Sequence, residues 1–506
     1  MRRRVLAALL AGGASVFAFA PFGLFPLAVL SLAVLAWLLG SATRWREGLA
    51  LGFAWGFGAF AAGVSWLYVA LERYGGMPMA LAALAIALFC AYLALYPALA
   101  GALFVALRRR LGLQPAHGVR AAMLFAALWL LSEWLRGVVF TGFPWLAIGY
   151  SQTPPSPLGG WLAVIGVYGV GGLSAFLAAL VVMTDWRARA WPAALAAVLV
   201  LAPGVALLGR AWTAPAGAPL QVALVQTNFE QSLKWDPDHF ASVLQANLDL
   251  VREQFLSPDP PAVVVLPETT LPTLLERLPE GYLDWLGQLA REAGGDLVLG
   301  VFRRDDAGHI YNAALSLGRA PVQQYAKQHL VPFGEYSPPL FGWFYRLVDI
   351  PMSDQTRGAR DQAPMRFGDQ RVALNICYED LFGAELIRAL PEATLLLNLS
   401  NLAWYGDSLA QPQHLQIARV RALETGRPML RSTNTGMTAL VQPDGRVTDV
   451  LPGFERGVLR VEVLGYQGLT PYARWGDRLA IGAAMLVVAA GFAAGGGFRR
   501  ARAGRP

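Results

Sequence analysis

The sequence is poor in the residues that hold disulfides and metal ions, and it is also poor in charge. Two cysteines and five histidines are spread over 506 residues. This excludes a disulfide framework and leaves no cluster with metal-ligand spacing, so we expect neither a metal nor a cofactor. Only 15% of the residues are charged, against about 25% in an ordinary soluble domain. With 55% apolar residues, the chain is neither disordered nor purely soluble.

The positive charge lies outside one acidic segment. Residues 211–477 contain 22 Lys and Arg against 30 Asp and Glu, whereas the rest of the chain contains 19 against 4. The basic excess consists of short arginine clusters between apolar runs and does not form one continuous basic face. This pattern argues against a nucleic-acid partner and predicts a protein that lies in a lipid bilayer.

Apolar runs of nearly the length of a membrane-spanning helix, about 20 residues, occur eight times. They lie at 5–20, 24–40, 49–71, 79–107, 121–140, 160–184, 190–209 and 478–497. The first two are separated only by residues 21–23, which predicts a tight helical hairpin. The first run resembles a signal peptide, but no small-residue cleavage site precedes Pro21 and a second span follows at once, so we expect a retained anchor.

The arginines between these runs predict the orientation. Alternate loops are rich in arginine, and the short loops between them hold only Arg73. The rich segments contain Arg2, Arg3 and Arg4, then Arg44 and Arg46, then Arg108, Arg109 and Arg110, then Arg187 and Arg189, and finally Arg499, Arg500, Arg502 and Arg505. The positive-inside rule then places both termini in the cytoplasm. We therefore expect a multi-pass membrane protein with residues 211–477 on the outer side of the membrane.

This orientation predicts five parts. A membrane domain of seven transmembrane helices covers 1–210, a linker covers 211–220, an extracytoplasmic α/β domain covers 221–477, an eighth helix covers 478–497, and a basic cytoplasmic tail covers 498–506. Strands and helices alternate in the α/β part, and Asp444-Gly445 indicates a hairpin turn. Predicted strands are 221–227, 262–267, 296–302, 311–317, 322–327, 371–377, 394–399, 428–433, 438–442 and 458–463. Predicted helices are 238–255, 281–293, 383–389 and 408–426.

Three residues with chemical potential follow predicted strands. Glu268 follows AVVVLP, Lys327 ends QQYAK, and Cys377 ends VALNI. Each alone is as well explained by a structural role, but strand ends are where α/β sheets place their sites. Together, a carboxylate accepts the thiol proton and a fixed cation stabilises the thiolate and an oxyanion. Spacing leaves open a rival Cys–His arrangement with His329 or His414 as the base.

Longer motifs carry a resemblance to a known family. Glu268, Lys327 and Cys377 resemble the Glu–Lys–Cys triad of the nitrilase superfamily. KQHLVPFGEYSP (327–338), NICYED (375–380), NLSNLAWYGDS (398–408) and SEWLRGVVFTGFPWLAIGYSQ (132–152) resemble the apolipoprotein N-acyltransferase family. The resemblance implies a multi-span helical membrane protein, with eight spans, and an inserted nitrilase-like αββα sandwich. It also implies that the protein lies in the inner (plasma) membrane of a bacterial cell, with the sandwich on the periplasmic side.

The resemblance also implies an activity. An acyl chain moves from a phospholipid, typically phosphatidylethanolamine, to a cysteine as a thioester. It then moves to the N-terminal amine of a diacylglyceryl-cysteine in an apolipoprotein, which completes lipoprotein maturation. By motif position, Cys377 is the nucleophile, Glu268 the general base and Lys327 the oxyanion support. Supporting residues by the same resemblance are Glu335, Glu379, Tyr378 and Trp235.

An aromatic run directly follows the lysine motif. Because both implied substrates are anchored in lipid, the thiol needs an apolar entrance, since each exposed CH₂ group costs about 0.8 kcal/mol. The run LFGWFY supplies a candidate lid or bilayer-touching loop at that entrance, with Phe341, Trp343, Phe344 and Tyr345. A cluster in the core of the domain is the alternative interpretation.

Two other functions remain open at this point. A membrane-anchored amidase or thioesterase uses the same triad with water as the acceptor. A lipid-handling channel or scaffold uses no triad at all. Glu133 and Arg136, three residues apart in the fifth span, form a structural pair or contact a lipid headgroup.

Overall fold

The computed structural model describes residues 1–113, 117–234, 236–337 and 354–503. The chain divides into two compact units. The first contains residues 1–65, 83–210 and the residues from Pro471 onward, and the second contains residues 66–82 and 211–470.

The amino-terminal part of the chain is helical. Its helices are α1 (Arg2–Ala14), α2 (Pro26–Gly40), α3 (Trp45–Gly63), α4 (Leu67–Val69), α5 (Met79–Arg110), α6 (Gly118–Arg136), α7 (Leu162–Met183) and α8 (Trp186–Leu208). Helix α4 continues into a π-helical turn, Ala70–Tyr74, and this pair belongs to the second unit. Within the first unit, glycines allow close helix contacts: Gly12 on α1 faces the backbone of Trp55 on α3, and Gly48 on α3 faces Gly101 on α5.

A helix lies at each predicted span, but not every helix has the length of a crossing. Among the described residues, four helical segments are long and apolar enough to cross a membrane: Met79–Arg110, Gly118–Arg136, Gly159–Met183 and Trp186–Leu208. Counting α3 and the bent continuation to Tyr74 as one span makes five. Helices α1 and α2 have 13 and 15 residues. At 1.5 Å per residue they are about 20 Å long, shorter than the hydrocarbon core of about 30 Å.

Glu133 and Arg136 on α6 both bind the segment that follows this helix. Glu133 accepts a hydrogen bond from the N–H of Ile148 at 2.8 Å. The Arg136 guanidinium donates to the carbonyl of Trp145 at 2.7 Å and lies 5.0 Å from the centre of the Phe60 ring. The two buried charges therefore hold residues 143–148 against α6, which is a structural role.

The second unit contains two six-stranded sheets. The strands are β1 (Ala214–Gln226), β2 (Val263–Val265), β3 (Asp296–Arg304), β4 (Ile310–Gly318), β5 (Gln323–Ala326), β6 (Met365–Phe367), β7 (Gln370–Ile376), β8 (Leu395–Ser400), β9 (Met429–Thr433), β10 (Ala439–Val441), β11 (Val447–Val450) and β12 (Gly457–Gln467). One sheet has the order β12-β1-β2-β3-β4-β5 and the other has β11-β10-β9-β8-β7-β6. Strands β1, β2 and β3 are parallel, as are β7, β8 and β9.

Three hydrophobic clusters define four layers. The inner cluster takes side chains from both sheets, such as Val265 and Leu397, so the sheets pack face to face. The remaining helices before the carboxyl-terminal part are α9 (Gln231–Lys234), α10 (Phe240–Phe255), α11 (Tyr282–Glu292), α12 (Gly383–Leu386) and α13 (Ala410–Thr425). Helices α10 and α11 pack on the outer face of the first sheet, and α13 packs on that of the second. The predicted αββα sandwich is confirmed. Helices α14 (Pro471–Trp475) and α15 (Arg478–Ala503) complete the chain.

Every predicted strand is present, and the differences lie at the ends and in short elements. Strands β6 and β11 were not predicted, because three or four residues carry too little alternation to be recognised. The stretch 211–220, predicted as a linker, is strand from Ala214 onward. Its Pro- and Gly-rich sequence pairs with β12 on both sides of an irregularity between Ala216 and Leu220.

Gly300 on β3 packs closely against the backbone at Glu268. A Cβ there would lie 2.6 Å from the Pro267 carbonyl oxygen and 2.7 Å from the Glu268 Cα. We expect Gly300→Ala to destabilise the protein by about 1–3 kcal/mol, because backbone has to move to relieve the overlap. Thermal unfolding in detergent measures this.

Gly287→Ala is the matched control. It lies on α11, where the nearest atom to an added Cβ is Nη1 of the flexible Arg291 side chain at 3.2 Å. Alanine is favoured over glycine in a helix by about 1 kcal/mol, so this variant should be no less stable than the parent. Equal unfolding temperatures for Gly300→Ala and the parent would show that β3 does not approach the backbone at Glu268 this closely.

Candidate active site

The three predicted triad residues follow strands that end at the same edge. Glu268 comes three residues after β2, while Lys327 and Cys377 directly follow β5 and β7. Strand β5 runs in the same direction as β2, since β4 is antiparallel to both β3 and β5. The arrangement brings a carboxylate and an ammonium from one sheet to the edge where the other sheet presents a thiol.

Lys327 is fully buried and contacts two carboxylates. Its Nζ lies 2.6 Å from Oε1 of Glu335 and 3.3 Å from Oε1 of Glu268. Burial alone disfavours the ammonium, but Glu335 and then Glu268 outweigh it and raise the pKa of Lys327 well above its ordinary value. Lys327 is therefore a permanent cation at the site.

Both carboxylate oxygens of Glu268 are held by donors. Oε1 accepts from Nδ2 of Asn312 at 2.8 Å as well as from Lys327, and Oε2 accepts from the N–H of Asn401 at 2.8 Å. These bonds fix the orientation of a residue that is only 5% exposed. Neither asparagine was predicted. The signals were present, because Asn312 interrupts the apolar strand IYNAALSL and Asn401 ends the strand in NLSN.

Cys377 has an unusual backbone conformation. Its φ is +53°, in the left-handed region that a residue with a Cβ rarely adopts. The carbonyl of Cys377 accepts from Nδ2 of Asn398 at 3.2 Å. Burial, and after it the charge of Glu268, raises the pKa of the Cys377 thiol well above its ordinary value, although Lys327 opposes this. The resting cysteine is therefore a thiol, and a base has to remove its proton.

Glu379 joins the two sheets next to the triad. Oε1 accepts from the N–H groups of Gln328 and His329 at 2.7 and 3.1 Å. Oε2 accepts from the N–H of Ile376 at 2.7 Å and from the Tyr325 hydroxyl at 3.0 Å. One carboxylate thus binds the residue after Lys327 and the residue before Cys377. Burial raises the pKa of Glu379 to about 7 in spite of these bonds.

A closed buried network lies next to Cys377. Nη1 and Nη2 of Arg431 donate to Asp380 Oδ2 and to His414 Nδ1, both at 2.9 Å. Because His414 Nδ1 accepts, the ring proton is on Nε2, which donates to Asp380 Oδ1 at 2.7 Å. Both ring nitrogens of His414 are therefore occupied, which argues against His414 as the base of a Cys–His pair.

His329, the other histidine considered as a base, packs in an aromatic group. Its ring is stacked on Phe382 with centroids 3.5 Å apart, and its Nδ1 lies 3.1 Å from Glu385. Tyr378 is buried, with its ring 5.2 Å from Phe382 and 5.8 Å from His329. Tyr378 thus supports the loop that follows Lys327.

Aromatic residues outside the predicted set also surround the site. Burial, and after it the electrostatic effect of Cys377, raises the pKa of the Tyr405 hydroxyl. The ring of Tyr405 packs edge to face on Trp66 at 4.6 Å. Sequence spacing gave no sign that the segment around Trp66 contributes to this unit.

Five predicted residues lie outside the described part of the chain. They are Trp235 and the aromatic set Phe341, Trp343, Phe344 and Tyr345. Their roles remain predictions from the sequence. Within the ranges that the structure describes, no group of three or more His, Cys, Asp or Glu side chains is arranged to hold a metal ion.

Comparisons with known proteins cover nearly the whole chain. Residues 11–180 match the family model for the apolipoprotein N-acyltransferase N-terminal domain, and residues 221–467 match the model for carbon-nitrogen hydrolases. An apolipoprotein N-acyltransferase of Nitrosomonas europaea is 44% identical over 493 residues, covering 96% of this chain and 97% of the relative. One of Ralstonia nicotianae is 45% identical over 505 residues, covering 99% and 94%.

Solved structures are more distantly similar and cover about half of this chain. A crystal structure of a carbon-nitrogen hydrolase from Helicobacter pylori has a TM-score of 0.38 and 16% identity, and it covers 48% of this chain and 88% of that one.

The bonds of Glu379 predict the effect of replacing it. In Glu379→Gln the amide NH₂ group has to face at least one backbone N–H that now donates to a carboxylate oxygen. An unpaired buried donor costs about 1–3 kcal/mol, so the amides of Gln328 or Ile376 should exchange faster. Hydrogen exchange read by mass spectrometry measures this locally.

Glu385→Gln is the control for Glu379→Gln. Glu385 is partly exposed and contacts His329 and Arg388 at 3.1 and 3.7 Å, so its loss should cost under about 1 kcal/mol. Unchanged exchange at Gln328 and Ile376 in Glu379→Gln would show that this carboxylate does not join the sheets.

Proposed function

The chain belongs to the apolipoprotein N-acyltransferase family, and on this premise we propose how it transfers an acyl chain. The donor is a phospholipid, with phosphatidylethanolamine as the expected species, and the carrier is a thioester on Cys377. The acceptor is the free α-amine of the diacylglyceryl-cysteine that begins an apolipoprotein. Cys377 acts as nucleophile, Glu268 as general base and Lys327 as oxyanion support.

In the first half-reaction Glu268 takes the thiol proton as the sulfur attacks the ester carbonyl carbon of the lipid. The carbonyl oxygen becomes an oxyanion, and the Lys327 ammonium stabilises it. The intermediate collapses with cleavage of the C–O bond, and Glu268 returns its proton to the leaving oxygen. The products are a lysophospholipid and an acyl-Cys377 thioester.

In the second half-reaction the acceptor amine attacks the thioester carbonyl. Glu268 takes a proton from the attacking nitrogen, and Lys327 again stabilises the oxyanion. The C–S bond breaks, and the proton on Glu268 passes to the departing sulfur, which restores the Cys377 thiol. The net result is an amide on the acceptor and an unchanged enzyme.

One observation carries this proposal. A buried lysine contacts the carboxylate of Glu268 at 3.3 Å at the edge where a cysteine with a left-handed backbone ends a strand. The raised pKa of Cys377 makes a base necessary, and Glu268 is oriented by three donors. Glu335 and Glu379 have the roles of neutralising Lys327 and of fixing the strand ends. Water as the acceptor, the alternative activity, is less well supported because the similar proteins are named acyltransferases.

The half-reactions predict a trapped intermediate. Purified protein incubated with phosphatidylethanolamine alone should gain the mass of one acyl chain on Cys377, and hydroxylamine should remove it. Adding a diacylglyceryl peptide with a free amine should move the chain to nitrogen. Glu268→Gln should slow acylation by about 10²-fold or more, since general base catalysis typically contributes that much.

The chain provides its own control for the intermediate. Its other cysteine, Cys90, is buried in the first unit, so Cys90→Ala should acylate like the parent and Cys377→Ala should not acylate. Release of free fatty acid with no dependence on the amine would show a hydrolase. Failure to acylate with an intact thiol would refute the proposed carrier.

We also propose the membrane arrangement in its full form: eight crossings, cytoplasmic termini and the α/β unit on the periplasmic side. The arginine distribution supports it. So does the grouping of residues 66–82, which include the predicted outer loop 72–78, with residues 211–470 in one compact unit. Arg73 contributes to that grouping through an ion pair with Glu230 at 2.8 Å. Helices α1 and α2 are shorter than the hydrocarbon core. In this proposal the tight turns and polar residues at their ends complete the two crossings.

Cysteine labelling tests this arrangement. Cys90→Ala combined with Cys377→Ser removes both native thiols. In that background a membrane-impermeant maleimide should label Glu253→Cys in spheroplasts, because this exposed position belongs to the α/β unit. Thr43→Cys, an exposed position between α2 and α3, should be labelled only after the membrane is broken. Labelling in the opposite pattern would show that the protein has the reverse orientation.

A further inference from the structure

A second buried lysine contacts the residue proposed as the base. Lys234 ends the short helix α9 and is only 2% exposed. Its Nζ donates to the backbone carbonyl of Glu268 at 3.3 Å. No step of the proposed mechanism uses this side chain, although a buried ammonium is costly unless it has a compensating partner.

The same helix reaches Glu268 by a second route. Gln231, also on α9, accepts at Oε1 from Nδ2 of Asn401 at 2.9 Å. The N–H of Asn401 donates to Oε2 of Glu268 at 2.8 Å. Helix α9 therefore holds Glu268 both at its main chain and at its carboxylate, and Lys234 is the charged member of that contact.

The charge of Lys234 depends on pH in the neutral range. Burial lowers the pKa of Lys234 to about 7, and the negative charge of Glu268 partly opposes this. Glu268 is the charged group that acts on Lys234 within the described chain. The Glu268 carboxylate itself contacts Lys327, which also binds Glu335. Lys234 is thus an ammonium below about pH 7 and a neutral amine above it.

We propose that Lys234 is a positioning residue for Glu268, and that its ammonium holds the Glu268 carboxylate in the ionised, proton-accepting form under mildly acidic conditions. The inference rests on the proposed function, because it takes Glu268 as the group that accepts the thiol proton. Through the carbonyl bond Lys234 also fixes the main chain at the point where the carboxylate emerges from the strand.

The direction of the effect follows from the sign of the charge. A nearby cation favours a carboxylate over a carboxylic acid, so a charged Lys234 favours the proton-accepting form of Glu268. Above about pH 8 Lys234 is neutral and no longer has this effect. Loss of the ammonium should therefore affect acylation only on the acidic side of the pH profile.

The test is the rate of acyl-Cys377 formation from phosphatidylethanolamine between pH 4.5 and 9, with the full chain in detergent. An opposite charge close by typically moves a carboxyl pKa by about 1–3 units. The acid limb, which is the part of the pH–rate profile where the rate falls at low pH, should therefore shift to higher pH by about one unit in Lys234→Met. The parent should then be about tenfold faster at the acidic end, and the two rates should be equal above pH 8.

Lys234→Gln separates charge from hydrogen bonding. It retains a donor for the Glu268 carbonyl but has no charge, so its acid limb should shift like that of Lys234→Met. It also carries the test if Lys234→Met does not fold. An acid limb that stays in place in Lys234→Gln would overturn the proposal.

Asn247→Leu is the matched control. Asn247 is fully buried and donates to the carbonyl of Thr270 at 3.1 Å, in the same turn as Glu268 but without a charge. Its loss should lower stability and leave the acid limb in place. A ratio of parent to Lys234→Met rates that is the same at every pH would reduce Lys234 to a structural residue. Absence of acyl-enzyme in the parent itself would instead refute the proposed function.

Discussion

The rest of the site depends on the burial of the Lys327 ammonium. An uncompensated ammonium inside a protein costs several kcal/mol, so this lysine requires anionic partners. Glu335 and Glu268 supply them at 2.6 and 3.3 Å and leave the three-residue group with one excess negative charge. That excess, with burial, keeps the Cys377 proton on sulfur at rest. A protonated thiol is poorly nucleophilic and resists oxidation, so reactivity arises only when the base acts.

A second constraint is the alignment of the two sheets, whose described strands are not paired with each other. Glu379 provides it, because its two oxygens bind main-chain N–H groups next to Lys327 and next to Cys377. On the other side of Cys377, the buried Asp380, His414 and Arg431 close a ring of three hydrogen bonds. The left-handed Cys377 is therefore held between two polar clusters, which is how a strained backbone persists in a folded protein.

The features that could be predicted from the sequence are those that depend on short-range patterns of residues. Apolar runs predicted the strands β2 and β7, and the strand ends predicted where Glu268, Lys327 and Cys377 would meet. It could not supply partners that are remote along the chain. Asn312 and Asn401 reach Glu268 from β4 and from the end of β8, and no spacing rule relates them to it. A break within an apolar run was not predicted, as after Gly63, where α3 ends and a second helical segment begins at Leu67.

The proposed mechanism also separates catalysis from the choice of acceptor. In that mechanism Glu268 returns its proton to the leaving group in each half-reaction, so the site enters the second with the charge it had in the first. Lys327 is proposed to stabilise an oxyanion in both, with its two carboxylates unchanged. Nothing in this cycle distinguishes an amine from water, because both attack through a lone pair and lose a proton to the same base. Selection between an amine and water therefore depends on the residues that admit lipid-anchored substrates and exclude water. For this reason the triad of a hydrolase fold can serve a transferase without alteration.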